Sequence, residues 1–145
     1  MRTIQDIMST DCVTVSPQDN IYEIALKMKQ NDIGFIPVVE GRKLIGVVTD
    51  RDLVIRGYAE KHSGSTAVEE VISKDVTTVG PDTSVDEAAK LMARQKIRRL
   101  PVVSGGELIG VVAIADLAVR EIFVNEAGEA LSEISENVDH AATVH

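Results

Sequence analysis

Thr49 and Asp52, three residues apart, follow the apolar run Leu44-Ile45-Gly46-Val47-Val48. A carboxylate in the first turn of a helix can accept two hydrogen bonds from a vicinal diol. The free backbone N–H groups and the positive dipole end of the same turn can hold an anion. A phosphorylated ribose would use both. The same pair also reads as a capping box, in which each side chain only satisfies an orphan backbone donor. The stretch alone leaves both readings open. Asp116 ends a sister stretch, Gly110-Val111-Val112-Ala113-Ile114-Ala115-Asp116, in which Ala113 stands where the threonine would be. Arg94, Lys96, Arg98 and Arg99 form a dense basic cluster before Pro101. Guanidinium forks match phosphate oxygens, although cations near a helix C-terminus also complement its dipole. Arg51 has two uses open to it: a phosphate contact or a pair with Asp50.

These residues recur because the chain repeats itself. Pro17 and Pro81, Pro37 and Pro101, Gly46 and Gly110, and Asp52 and Asp116 are each 64 positions apart. Residues 7–53 align on 71–117 without a gap, and 20 of the 47 positions are identical. Two copies are too few for a solenoid, which needs about three; they predict two similar lobes about a pseudo-twofold axis.

Each copy predicts the order β-α-β-β-α, an α/β (α+β) fold. Cys12-Val13-Thr14-Val15 reads as a short strand stopped by Ser16-Pro17. Asn20 or Asp19 can cap a helix with the apolar stripe Ile21, Ile24, Ala25 and Met28; Val85, Ala88, Ala89 and Met92 are its counterpart. Ile36-Pro37-Val38-Val39 follows as a strand with its proline near the start, where a missing donor is tolerated. Glu40-Gly41-Arg42 turns the chain, the run 44–48 returns, and a helix from Thr49 to about Gly57 closes the unit. The boundaries are 7–57 for the first copy, 58–70 for a Gly-, Ser-, Lys- and His-bearing linker, 71–123 for the second, and 124–145 for an acidic C-terminal helix or tail.

Composition narrows the function. Aliphatic residues carry the core, since aromatics are 3% of the chain and tryptophan is absent. The net charge of −8 is uneven: residues 125–145 hold five acids and no Lys or Arg, leaving 18 acids against 15 bases elsewhere. A nearly balanced body argues against general nucleic-acid binding. No apolar run reaches the roughly 20 residues of a membrane span, and Met1-Arg2-Thr3-Ile4-Gln5-Asp6 lacks the apolar segment of a secretory signal. With Cys12 as the single cysteine, no intrachain disulfide forms, and a cytoplasmic protein is expected. Cys12 reads as a small buried or half-buried residue, not a nucleophile. His62 reads as solvated, and His140 and His145 show no metal-ligand spacing with it.

The repeated unit resembles the CBS domain, and the two together resemble a CBS domain pair, or Bateman module. The likeness rests on Asp6-Ile7-Met8-Ser9, on Ile33-Gly34-Phe35-Ile36-Pro37-Val38-Val39 with its partner Ile97-Arg98-Arg99-Leu100-Pro101-Val102-Val103, and on Gly46 to Asp52. It covers residues 1–123. It implies clefts that take adenosine-containing ligands such as AMP, ADP, ATP or S-adenosylmethionine. Asp52 and Asp116 would hold ribose hydroxyls. Thr49, Arg51, Arg98 and Arg99 would serve phosphate or ribose, and Val15, Phe35, Ile36, Val79 and Leu100 would line the adenine pocket, although Phe35 reads more readily as core or dimer contact. It also implies a homodimer and a stand-alone regulator of an unknown protein effector, with no required cofactor, no metal and no membrane partner.

Two other functions are weighed beside a nucleotide sensor. An enzyme is disfavoured: there is no G-x-x-x-x-G-K-[ST], G-x-G-x-x-G or H-E-x-x-H, and no nucleophile lies beside an evident base. A ligand-independent interaction or dimerisation module would use the Thr49–Asp52 pair for capping alone.

Overall fold

The computed structural model describes residues 2–118. The expected acidic helix or tail, 124–145, and the end of the last helix lie outside them. The described chain is a mixture of helix and sheet, in the two repeats read from the sequence. None of its helices is long and apolar enough to cross a membrane.

The chain forms two compact units, and they do not follow the repeats end to end. Among the described residues, one contains Cys12–Thr77 with Gly105–Leu108; the other contains 2–11, Thr78–Ser104 and 109–118. The lead-in segment of each copy therefore sits in the unit formed by the other copy.

In the first unit, α1 (Ile21–Asn31) is capped by Asn20, whose side chain accepts the Glu23 N–H at 2.8 Å. Asp19 has a different task, accepting the Ser16 N–H at 3.0 Å in the turn before the helix. Helix α1 ends on Asp32 in the left-handed region, φ 53°. Ile21, Ile24 and Met28 face the core, whereas Ala25 is exposed. Strand β1 (Phe35–Glu40) pairs antiparallel with β2 (Lys43–Thr49), with Phe35 opposite Thr49 and a register shift at Val38/Val39. The strand expected over 12–15 is reduced to one parallel bridge between Val15 and Val38. The Ser16–Asp19 turn and Pro17 end it at once. Helix α2 (Asp50–Asp52) continues as a π-helix, Leu53–Tyr58. Val68, Val71 and Ile72, from the second copy's lead-in, complete this core with Val15, Ile36, Val38 and Val48.

The second unit repeats the plan. Helix α3 (Val85–Gln95) is capped by Ser84, which accepts the Glu87 N–H at 3.1 Å, and ends on Lys96 at φ 59°. Strands β3 (Arg99–Ser104) and β4 (Glu107–Ala113) follow, then α4 (Ile114–Ala118). Val79 makes the single parallel bridge to Val102. Ile4 and Ile7, from the first copy's lead-in, are buried against Ala88, Met92, Leu100, Val112 and Leu117. Continuous aliphatic burial of this kind stabilises at about 25 cal/mol per Å² removed from water.

Candidate functional site

In the first unit the site begins where β2 runs into α2. Thr49 is extended, φ −117° and ψ 164°, and its hydroxyl accepts the Asp52 N–H at 3.1 Å. The Asp52 carboxylate reaches back through Oδ2 to accept the Thr49 N–H at 3.0 Å. The capping box is thus complete. The Asp52 Oδ1 takes no hydrogen bond among the described residues, and the side chain is half-buried. One carboxylate oxygen is committed to the fold and the other is available.

Asp50 completes the local geometry. Its N–H donates to the Gly34 carbonyl at 3.1 Å, and its Oδ1 accepts the Arg51 N–H at 2.8 Å. A Cβ on Gly34 would stand 2.8 Å from Asp50 Oδ2, so the carboxylate lies over the bare Cα. Arg51 is exposed, and its guanidinium makes no ion pair with Asp50 among the described residues.

In the second unit the Asp116 Oδ2 accepts the Ala113 N–H at 2.9 Å, the counterpart of the Asp52–Thr49 bond. The reverse bond is missing because Ala113 has no hydroxyl. The Ile114 N–H donates to the Arg98 carbonyl at 2.8 Å, as Asp50 does to Gly34. Arg98 and Arg99 are exposed, and Ile114 is buried in the core. Arg98 therefore stands beside the Ala113–Asp116 turn through its backbone, Arg99 follows as the first residue of β3, and both side chains are free of ion pairs among the described residues.

The residues expected around an adenine divide in two. Phe35 is half-buried opposite Thr49. Ile36 and Leu100 are 0% exposed and belong to the two cores, and Val15 and Val79 are 4% and 8% exposed. Only Phe35 among the five shows substantial side-chain surface.

Two features escaped the sequence reading. The first is the Gly34–Asp50 contact, which was legible as a paired difference between the repeats, Gly34 and Asp50 against Arg98 and Ile114. The second is a set of exposed apolar residues, Tyr22 on α1 and Val54, Ile55 and Tyr58 on the π-helix. These elements adjoin: Ile21 Cδ1 is 3.3 Å from where a Cβ on Gly57 would stand. The stripe of α1 leaves Tyr22 off the buried face, where it is 60% exposed, and Tyr58 on the π-helix is 83% exposed.

Among the described residues, no three His, Cys, Asp or Glu side chains gather to hold a metal ion. Comparison with known proteins agrees with the repeat. The CBS domain family matches residues 4–57 and again 68–121. The chain is 44% identical over 140 residues to the CBS domain-containing protein YhcV of Bacillus subtilis, across 97% of this chain and 100% of that one. The solved structure of Hypoxic Response Protein I with two coordinated zinc ions superposes with a TM-score of 0.75 at 32% identity, covering 82% of this chain and 98% of the other. The CBS domain pair of protein MJ0100, solved with 5′-methylthioadenosine and S-adenosyl-L-methionine, does so with a TM-score of 0.71 at 27% identity, over 81% and 98%. With both repeats matched and both units built on one plan, the chain belongs to the CBS domain family, as a CBS domain pair.

Proposed function

We propose that this CBS pair is a non-catalytic regulatory module that binds adenosine-containing ligands through Asp52 and Asp116 and alters the activity of a partner protein in the cytoplasm. The observation that carries the reading is the retained carboxylate of Asp116. In the first unit an aspartate could be kept merely to complete the capping box with Thr49. In the second the box is broken by Ala113, yet Asp116 still bonds the strand-end amide at 2.9 Å. A fixed carboxylate with one oxygen to spare suits the two hydroxyls of a ribose. Arg98 and Arg99 suit a phosphate, and Thr49 and Arg51 offer a hydroxyl and a cation at the other site. The likeness to the MJ0100 pair, solved with adenosyl ligands, supports the same class. AMP, ADP, ATP and S-adenosylmethionine are the candidates.

A ligand changes the partner only to the extent that it binds two states of the pair unequally. Its first measurable effect is stabilisation, because it binds the folded state alone. Thermal melting of the full chain with each of the four candidates at millimolar concentration tests the reading. At least one should raise the Tm by several degrees, and Asp52→Asn with Asp116→Asn should abolish the shift. No shift with any of them would overturn it.

The second reading, a ligand-independent interaction or dimerisation module, is favoured by the complete Thr49–Asp52 box and by the exposed Tyr22, Val54, Ile55 and Tyr58. An unmoved melting curve together with a stable homodimer would select it.

A further inference from the structure

Resting on the adenosyl-ligand reading, we infer that the two repeats divide ligands by the charge of the 5′ substituent. The second repeat takes the phosphorylated nucleotide. The first takes an adenine nucleoside whose 5′ group is neutral or cationic.

The division is built from one contact and its counterpart. In the first unit Asp50 holds its carboxylate over Gly34, and any side chain at position 34 would meet Asp50 Oδ2 at 2.8 Å and Cγ at 3.1 Å. An arginine there would have to turn the Asp50 carboxylate aside from the position in which its Oδ1 accepts the Arg51 N–H at 2.8 Å. In the second unit the residue matching Asp50 is Ile114, which turns into the core at 5% exposure. That leaves the space beside the matching backbone position to Arg98. Both positions are locked to the same hydrogen bond, Asp50 N–H to Gly34 O and Ile114 N–H to Arg98 O. The paired difference is therefore a substitution of charge at a constant backbone.

The charges next to the two ribose-binding carboxylates consequently differ in sign. At the first, Asp50, Arg51 and Asp52 sum to −1 with Gly34 and Phe35 neutral. At the second, Arg98, Arg99 and Asp116 sum to +1 with Ile114 and Ala115 neutral. A phosphate carries close to two negative charges near neutral pH. Attached to a ribose held at the helix head, it lies within a Debye length of all these groups, so screening does not erase the difference. A two-charge swing acting on a phosphate through largely aqueous surroundings corresponds to about a tenfold preference. A neutral thioether feels none of it, and a sulfonium feels it with the opposite sign.

The experiment is calorimetric titration of the full chain with AMP and, separately, with 5′-methylthioadenosine, which carries an uncharged 5′ thioether in place of the phosphate. Asp52→Asn and Asp116→Asn assign each ligand to a repeat. Both keep a side-chain oxygen to accept the strand-end N–H, so both should fold. The expected result is that Asp116→Asn weakens AMP by about tenfold or more with little effect on 5′-methylthioadenosine, and that Asp52→Asn does the reverse. Arg98→Ala with Arg99→Ala should weaken AMP by about tenfold. Asp50→Asn should raise the affinity of the first repeat for AMP relative to 5′-methylthioadenosine several-fold. If both ligands bind but Asp52→Asn and Asp116→Asn weaken each of them equally, the division is overturned while the adenosyl-ligand reading stands. If neither ligand binds the native chain, the division is overturned, and the adenosyl-ligand reading falls with it only where ADP, ATP and S-adenosylmethionine also leave the Tm unmoved.

Discussion

Val47 and Ser73 exchange both of their backbone hydrogen bonds, at 3.1 and 3.0 Å. Val111 and Ser9, the residues 64 positions away on each side, do the same at 2.9 Å in both directions. The strand that leads into each candidate site is thus paired with the lead-in segment of the other copy. That pairing explains Gly46. A Cβ there would stand 2.6 Å from the Ser73 carbonyl oxygen, a backbone atom that cannot move aside without breaking the bridge.

Gly46→Ala should therefore cost about 1–3 kcal/mol, as overpacking of a fixed site does, and should lower the chemical denaturation midpoint. Gly110→Ala meets Met8 Sδ at 2.8 Å and Ser9 O at 2.9 Å. Part of that obstruction is a flexible thioether, so the loss should be smaller than at Gly46. Equal midpoints for Gly46→Ala and the native chain would refute the packing account.

Much of the fold was legible because it is local. Asn20, one of the two caps the spacing offers, caps α1, Ser84 takes the matching place at α3, and the apolar stripes of α1 and α3 face their cores at Ile24 and Met92, as spacing predicts. The composition of the units was not legible. Aligning Ile7–Ser9 with Val71–Ser73 gives each segment its place in a repeat, but only long-range pairing with Val111 and Val47 decides which core it enters. The strand over 12–15 was overread for a related reason: its β-branched residues have strand propensity, yet Pro17 and the Ser16–Asp19 turn leave room for one bridge. At the site, the positions of Thr49, Asp52 and Asp116 were readable from spacing. Burial of Ile36 and Leu100 was not, since a buried strand and a ligand-lining strand share the same apolar alphabet.

The unequal capping of the two sites predicts opposite responses to exchanging their hydroxyl. Thr49→Ala removes the acceptor of the Asp52 N–H and should destabilise by about 1 kcal/mol. Ala113→Thr supplies an acceptor for the Asp116 N–H on a half-buried strand end and should stabilise by about 0.5–1 kcal/mol. Urea unfolding of the two variants against the native chain measures both. A gain on Thr49→Ala, or a loss on Ala113→Thr, would contradict the capping geometry.

Helix α3 ends on Lys96 in the left-handed region at φ 59°, where glycine is normally favoured. A Cβ in this conformation is crowded by the neighbouring carbonyl, and Lys96 is exposed, so no packing is lost on removing its side chain. Lys96→Gly should stabilise by about 0.5–1 kcal/mol after the extra backbone entropy of glycine is subtracted. A thermal melt showing a lower Tm for Lys96→Gly would mean that the lysine side chain contributes a contact that outweighs the strain.

The exposed apolar residues of the first unit predict where two copies of the chain would meet in a homodimer. Tyr22, Val54, Ile55 and Tyr58 are all about half exposed or more, on the adjoining α1 and π-helix. The counterpart of Tyr22 in the second repeat is Asp86, which pairs with Lys90 at 3.1 Å. Aromatic side chains with a polar tip are enriched at protein interfaces. If a homodimer forms through this face, Ile55→Glu with Tyr58→Glu should place buried charges in it and convert the dimer to monomer at micromolar concentration. The fold should survive, because both side chains already face water in the single chain. Sedimentation velocity and a melting curve on the same samples separate the two effects. A dimer that persists in the double variant would move the contact to another face, and a native chain that sediments as a monomer would remove the homodimer altogether.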